Sequence, residues 1–258
     1  MFHNGIIANL RAPLRIERAS LFPPCYNYDG MSLRLIIFDL DGTLIDSSVD
    51  ITNALNHSLV PYGFQPLTVA DTITMVGEGL TRLIDRIVGE GDAALKADVL
   101  QRFLGYYEDH ILDNTREYPG VKETLERLHA ANYRKAVISN KRESLSRMVL
   151  SGLGLLPFFE MIVGSDTTPE RKPSPVPVLR VLADLRVRPQ DALIVGDSNY
   201  DVDAGKAAGI ATVAVTYGYR PREAIAHADY LIDRMVDLIP LVEKIDDSGR
   251  SLSGESFS

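Results

Sequence analysis

An apolar run that ends in two closely spaced carboxylates is the feature that most constrains the fold. Residues 33–38 are apolar at all but one position and lead into Asp39 and Asp41, which predicts a strand buried on both faces. The two aspartates lie one residue apart, so in an extended chain both side chains leave on the same side. The following Gly42-Thr43 favours a turn. We therefore expect both carboxylates at the C-terminal end of a strand, where open α/β sheets bind ligands.

The acid pair suits two kinds of chemistry. Carboxylate oxygens bind hard divalent cations, and a carboxylate can also act as a nucleophile. The formal net charge of −8 argues against a general nucleic-acid or anionic-membrane binder. No apolar run approaches the roughly 20 residues that span a bilayer. We therefore expect no nucleic acid and no membrane as partner, and an anionic substrate must be held by a metal or by a few local cations.

Residues 1–30 differ in composition from the rest of the chain. They contain arginines but no lysine, and Glu17 and Asp29 are their only acids. One interpretation is a transit peptide, but we favour a disordered extension ahead of a domain that begins near Met31. Cys25 is the only cysteine, which excludes intramolecular disulfides and favours a reducing compartment such as the cytoplasm.

Helical periodicity follows the first strand. Apolar residues recur at helical spacing over 51–59, 80–87 and 95–110, and no strand-like alternation interrupts residues 46–117. This pattern predicts a small helical domain, residues 46–118, inserted after the first strand. The Gly77-Glu78-Gly79 segment lies between two of its helices and is a candidate loop for close approach to a ligand, and Arg82 and Arg86 are candidate anion contacts.

Strand and helix patterns alternate after the Pro119-Gly120 turn. We predict strands at 134–139, 161–164, 192–196, 211–215 and 230–232, with helices at 142–153, 175–185 and 199–208 between most of them. The alternation predicts an α/β fold, a Rossmann-like parallel sheet flanked by helices, formed by residues 31–45 and 119–245. Residues 246–258, rich in Ser, Gly and Asp, are expected to form a disordered tail.

Polar residues recur where the predicted strands end. Ser139-Asn140 follows the second strand and suits hydrogen bonding to phosphate oxygens. Lys172 stands just before Pro173 and ahead of a predicted helix. Asp197 follows a later strand, and Asp201 comes four residues after it on the next helix. Each residue alone suits a cap, a turn or a solvated surface, but together they supply metal ligands, phosphate donors and a lysine.

The residues resemble, in the same order, the four motifs of the haloacid dehalogenase superfamily. The matching segments are Asp39-Leu40-Asp41-Gly42-Thr43-Leu44, Ser139-Asn140, Lys172-Pro173 and Gly196-Asp197-Ser198-Asn199-Tyr200-Asp201. The resemblance covers about residues 33–240, and the helical insert is similar to the cap domain of the phosphoglycolate phosphatase-like branch. It implies a Mg²⁺-dependent phosphatase that acts on a small phosphorylated metabolite, with phosphoglycolate the first to test.

The resemblance also implies a role for each motif residue. Asp39 would be the nucleophile that forms an aspartyl-phosphate, and Asp41 would protonate the leaving oxygen and then activate water. Lys172 would neutralise Asp39 and the transferring phosphoryl group. The expected Mg²⁺ ligands are the Asp39 and Asp197 carboxylates and the Asp41 backbone carbonyl, with Asp201 supporting the metal waters or the lysine. The expected substrate contacts are Ser139, Asn140, Thr43, Gly77, Glu78 and Gly79.

Other functions remain open at this stage. A phosphomutase would use Asp39 and Asp41 in the same way but return the phosphoryl group to a sugar. Nucleoside monophosphates, sugar phosphates and pyrophosphate are alternative substrates. A non-catalytic binding module is disfavoured, because the acid set and Lys172 are intact. We expect a monomer or a homodimer.

Overall fold

A single parallel sheet forms the centre of the molecule. The computed structural model describes residues 33–89 and 91–253, so the predicted N-terminal extension, residues 1–30, lies outside it. The strands of the sheet are β1 (Leu35–Phe38), β4 (Arg134–Ile138), β5 (Met161–Val163), β6 (Ala192–Gly196), β7 (Ala211–Val215) and β8 (Tyr230–Ile232). They are all parallel, in the order β5-β4-β1-β6-β7-β8. The predicted α/β fold with a parallel sheet is confirmed.

Helices cover both faces of this sheet. They are α5 (Val121–Ala130), α6 (Glu143–Gly152), α7 (Val176–Leu185), α8 (Asn199–Ala208), α9 (Arg222–Ile225) and α10 (Leu238–Ser253). In β1, Ile36 and Phe38 belong to one apolar cluster, whereas Leu35 and Ile37 belong to the cluster on the opposite face. Because both faces are covered, β1 is apolar throughout its length, as the sequence pattern indicates.

Four helices form the insert between β1 and the rest of the core. They are α1 (Ser48–Leu59), α2 (Val69–Met75), α3 (Leu80–Val88) and α4 (Ala93–His110), and α1 packs against both α2 and α4. Two short strands, β2 (Ile45–Asp46) and β3 (Arg116–Glu117), pair in antiparallel fashion where the chain enters and leaves the insert. Asp50 of α1 reinforces this junction by accepting hydrogen bonds from the backbone N–H groups of Asn114 and Thr115.

The insert contains two features that the sequence analysis missed. Strands of two residues are too short to show alternation, so β2 and β3 were not predicted within 46–117. Helix α2 was also missed, although Thr68 and Asp71 form a capping box that the Thr-x-x-Asp spacing signals. Among the described residues, no helix is both long and apolar enough to cross a membrane.

The C-terminal segment differs from the prediction. Residues 246–258 were expected to form a disordered tail, but α10 continues to Ser253. The buried carboxylate of Asp246 accepts hydrogen bonds from the Leu33 backbone N–H and the Tyr133 hydroxyl. This aspartate therefore anchors the helix to the core, and its polar character was misread as a sign of disorder; residues 254–258 lie outside the described part of the chain.

Candidate active site

The carboxyl ends of the central strands bring the predicted motif residues together. Asp39 follows β1, Ser139 and Asn140 follow β4, and Asp197 follows β6. Lys172 lies in the loop between β5 and α7. The strands are parallel and adjacent, so these residues meet at one edge of the sheet.

Three buried carboxylates form a compact group at this edge. Oxygen atoms of Asp39, Asp197 and Asp201 all lie within 4.8 Å of one another. Asp201 lies in the first turn of α8, where it also accepts hydrogen bonds from the backbone N–H and hydroxyl of Ser198. Asp201 was expected to support the metal waters or Lys172, and its carboxylate in fact lies as close to the other two acids as they lie to each other.

A single buried ammonium group faces these acids. The Nζ of Lys172 lies 2.7 Å from Asp39 Oδ1 and 2.6 Å from Asp201 Oδ1, and it also donates to the Ile138 carbonyl. Burial by itself lowers the pKa of Lys172, but the charges of Asp201 and Asp39 outweigh burial and raise that pKa above its usual range. The lysine is therefore held in its charged form.

The negative charges of the acids are neutralised less completely than the positive charge of the lysine. Burial, followed by the charge of Asp201, raises the pKa of Asp39 well above its ordinary value and that of Asp197 to about 7. Both shifts have one physical cause, because three buried carboxylates share one ammonium group. A hard divalent cation with oxygen ligands would offset this excess negative charge, so the donor set fits a cation such as Mg²⁺.

Glycines make room for the buried carboxylates. Gly42 has φ +88°, and a Cβ at this position would lie 2.4 Å from Asp197 Oδ2. A Cβ at Gly218 would lie 2.2 Å from the Asp197 Cβ, and one at Gly196 would lie 2.2 Å from the Asp201 Cγ. The backbone at these glycines therefore lies closer to the carboxylate side chains than a residue with a Cβ atom would allow.

Asp41 has its own set of partners. Its Oδ1 accepts hydrogen bonds from Lys141 Nζ and Ser47 Oγ, each at 2.5 Å. The side chain of Lys141 is 7% exposed and lies over the ring of Tyr107 from α4. These contacts fix the orientation of the Asp41 carboxyl group, and no described residue donates a hydrogen bond to its Oδ2.

A cavity of about 100 Å³ lies between the acids and the insert. On the core side it is lined by Asp39, Asp41, Ser139, Asn140, Lys141, Arg142, Ser165, Arg171, Lys172 and Ser198. On the insert side its wall is mainly apolar and includes Ile51, Val76, Gly77, Gly79, Leu80, Leu83, Leu100, Phe103 and Tyr107. A ligand in this cavity would place a polar group against the core and a small remaining part against the insert.

Some residues expected to bind substrate have other positions. Thr43 is fully buried behind the acids and does not line the cavity; its hydroxyl lies 3.3 Å from Asp197 Oδ1. The Asn140 amide donates to the carbonyls of Gly77 and Lys172, which joins the insert to the core and uses both of its N–H groups. Glu78 does not line the cavity, and its carboxylate lies 3.6 Å from the exposed Arg86.

Four contributors to the site were missed by the sequence analysis. Lys141 follows Asn140 and Arg171 precedes Lys172, so both could have been recognised from the sequence as positive charges next to motif residues. Tyr219 donates its backbone N–H to Asp197 Oδ2 at 2.7 Å, and Arg220 donates to the carbonyls of Ile73 and Val76 at the end of α2. The latter two lie in an irregular loop after β7, for which no local pattern indicated a role.

Comparisons of the sequence with known proteins point to one family. The family described as haloacid dehalogenase-like hydrolase matches residues 36–215. A phosphoglycolate phosphatase of Aquifex aeolicus is 38% identical over 215 residues, which is 82% of this chain and 97% of that protein. A phosphoglycolate phosphatase of Pseudomonas putida is 39% identical over 223 residues, covering 83% of this chain and 81% of that protein.

A solved structure has the same fold. The crystal structure of a predicted phosphoglycolate phosphatase from Haemophilus somnus superimposes with a TM-score of 0.78 at 32% identity. The match covers 82% of this chain and 99% of the other.

Proposed function

The chain belongs to the haloacid dehalogenase-like hydrolases and is a phosphatase, and from that premise we propose that it hydrolyses phosphoglycolate through an aspartyl-phosphate on Asp39. The observation that carries the proposal is the state of the Asp39 carboxylate. Its Oδ1 is held by Lys172, whereas its Oδ2 has no hydrogen bond or ion pair to a described residue. The side chain lines the cavity, so an oxygen is available to attack a phosphorus atom there.

Asp39 and Asp41 have different roles in the two steps of the proposed hydrolysis. In the first step Asp39 forms a bond to phosphorus, the phosphorus–oxygen bond to the leaving alcohol breaks, and Asp41 gives the alcohol oxygen its proton. In the second step water attacks phosphorus, Asp41 takes a proton from that water, and phosphate leaves while the Asp39 carboxylate is restored. Lys141 and Ser47 hold Asp41 Oδ1, which leaves Oδ2 to carry the proton.

The remaining residues neutralise the charge of the phosphoryl group and limit the access of water to the site. Lys172 would offset the charge that spreads over the phosphoryl oxygens, and Ser139 would bind one of those oxygens. Mg²⁺, held by the carboxylates of Asp39 and Asp197 and the backbone carbonyl of Asp41, would supply further charge neutralisation. The apolar wall of the insert, acting as a cap, would limit the access of water. The single cysteine supports a reducing compartment such as the cytoplasm.

Phosphate release from a panel of substrates tests the proposed function. With Mg²⁺ present, we expect phosphoglycolate to be hydrolysed with a higher kcat/KM than nucleoside monophosphates, sugar phosphates or pyrophosphate, because the cavity is small. A chelator should abolish the activity, and added Mg²⁺ should restore it. Accumulation of a sugar bisphosphate with little free phosphate would instead identify a phosphomutase.

Thermal unfolding tests the metal site without relying on turnover. Mg²⁺ should raise the melting temperature of the wild type, because a cation that binds only the folded state relieves repulsion among the buried acids. In Asp197→Asn the concentration of Mg²⁺ required should increase by at least about 10-fold. Asp203→Asn, an exposed change on the same helix as Asp201, is the matched control and should respond like the wild type. An unchanged Mg²⁺ response in Asp197→Asn would contradict the assignment.

A further inference from the structure

A half-buried arginine without a partner lies in the wall of the cavity. Arg171 precedes Lys172, and its guanidinium forms no hydrogen bond or ion pair with any residue in 33–89 or 91–253. The other buried cations of the wall are used, because Lys172 contacts Asp39 and Asp201 while Lys141 contacts Asp41. Arg171 is therefore a partly desolvated positive charge that no direct contact in the described chain neutralises, and Glu78 acts on it only at longer range.

The insert holds Arg171 in place. A Cβ at Gly79 would lie 2.9 Å from Arg171 Nη1, so the guanidinium packs directly beneath the backbone of the Gly77-Glu78-Gly79 loop. Gly79 has φ +85°, a left-handed conformation that favours glycine, and a side chain there would displace the arginine. The contact places Arg171 at the boundary between core and insert, in the wall of the cavity.

A second arginine strengthens the positive charge at this boundary. Arg82 of α3 lines a groove next to the cavity, together with Arg171, Lys172 and Tyr200. Burial first and then the charge of Arg82 lower the pKa of Arg171, so two guanidinium groups repel each other across the boundary. Glu78 offsets this repulsion only in part, and its carboxylate also pairs with Arg86. An anion bound at Arg171 would relieve the repulsion.

We propose that Arg171, supported by Arg82, forms a second anion subsite that binds a carboxylate on the leaving group of the substrate. The inference rests on the proposed function, because it assumes that a phosphoryl group occupies the cavity beside Asp39 and Lys172. Arg171 lines the same cavity of about 100 Å³, so the carboxylate and the phosphate must be joined by a short chain. The subsite therefore selects phosphate esters of short hydroxy acids, and its planar guanidinium suits a bidentate contact with the carboxylate.

Two substrates of nearly equal size test the subsite. Phosphoglycolate carries the carboxylate, whereas 2-hydroxyethyl phosphate carries a neutral hydroxymethyl group in its place. In Arg171→Gln we expect kcat/KM for phosphoglycolate to fall about 10- to 100-fold, the effect of losing a hydrogen bond to a charged group. The value for 2-hydroxyethyl phosphate should change less than about 3-fold, since Arg171 forms no hydrogen bond or ion pair with Asp39, Asp41 or Lys172. Arg171→Lys should recover part of the loss, because lysine keeps the positive charge but lacks the paired N–H groups of the guanidinium that bind both carboxylate oxygens.

Substitutions of two other arginines test whether the effect is specific to Arg171 or follows from any loss of positive charge. Arg127→Gln removes an exposed arginine of α5 that does not line the cavity, and it should leave both substrates unaffected. Arg142 lines the cavity but is exposed, so Arg142→Gln should have a smaller effect on phosphoglycolate than Arg171→Gln. Circular dichroism of each variant would show whether the fold is retained.

Several outcomes would overturn the proposal. They are equal losses on both substrates in Arg171→Gln, a substrate-selective loss in Arg142→Gln alone, and a wild type that does not prefer phosphoglycolate to 2-hydroxyethyl phosphate. In each of these cases release of phosphate from phosphoglycolate by the wild type would show that the proposed function stands while the subsite fails. A wild type that releases no phosphate from phosphoglycolate would overturn the proposed function, and the subsite with it.

Discussion

Replacing Asp39 with asparagine is expected to reduce the rate of phosphate release by about 10⁴-fold or more. An amide has nearly the shape of a carboxylate but is a far weaker nucleophile, so the loss should appear in kcat. The fold should be retained, because Asp39 is a buried acid whose pKa is raised by burial and by Asp201. The variant should therefore be at least as stable as the wild type in urea, which separates lost chemistry from lost structure.

Asp184→Asn provides the matched control for this experiment. Asp184 is an exposed aspartate on α7, outside the cavity, and its replacement should leave the rate unchanged. Comparable turnover by Asp39→Asn and the wild type, measured with the same phosphomonoester and Mg²⁺, would end the assignment of Asp39 as the nucleophile.

Replacing Lys172 with methionine is expected to damage both stability and activity. Its ammonium group contacts Asp39 and Asp201, and its removal leaves the buried acids without a cation. Breaking a buried ion pair by removing one partner costs about 3–5 kcal/mol, so the free energy of unfolding at neutral pH should fall by that amount. We also expect kcat to fall by about 10³-fold, because the charge of the transferring phosphoryl group loses its nearest fixed cation.

The stability deficit should depend on pH in a defined direction. Lys172 lowers the pKa values of both Asp39 and Asp197, so its loss raises them further above the unfolded values. A carboxyl group whose pKa is raised by folding costs stability when it is ionised, and this cost is relieved as the pH falls through the folded pKa. Since the pKa of Asp197 is about 7 in the wild type and higher in the variant, the part of the Lys172→Met deficit that comes from Asp197 should shrink as the pH falls from the alkaline side toward 7.

Lys206→Met is the matched control for the lysine. Lys206 lies on α8 and its ammonium is exposed, 3.9 Å from an oxygen of Asp229. Exposed ion pairs contribute little, so the free energy of unfolding should change by less than about 1 kcal/mol. If urea denaturation gave the same small change for Lys172→Met, the buried charge cluster would not have the role assigned to it.

The parts of the site that lie at strand ends were predictable from the sequence. A buried parallel strand is apolar along its length, so Asp39 and Asp197 stand out where β1 and β6 end. The rule that carboxyl ends of parallel strands meet at one edge then brings these acids together without knowledge of the strand order. Three of the six strands, at 192–196, 211–215 and 230–232, have the predicted bounds.

The parts that depend on three-dimensional packing were not predictable. Thr43 adjoins the acid motif but its side chain points behind Asp197, a direction that follows from the Gly42 turn and not from the sequence pattern. Arg171 and Tyr219 gain their positions from the insert and from the loop after β7, which approach the site from distant parts of the chain. The helical C-terminus was missed because Asp246 finds partners in Leu33 and Tyr133.

Trapping the covalent intermediate tests the central claim most directly. Borohydride added during turnover reduces an aspartyl-phosphate to homoserine, which peptide mass spectrometry can locate in the chain. We predict homoserine at position 39, formed only when substrate is present and absent from Asp39→Asn. Reduction at Asp41 in place of Asp39, or no reduction at either residue during rapid phosphate release, would contradict a phosphatase mechanism built on Asp39.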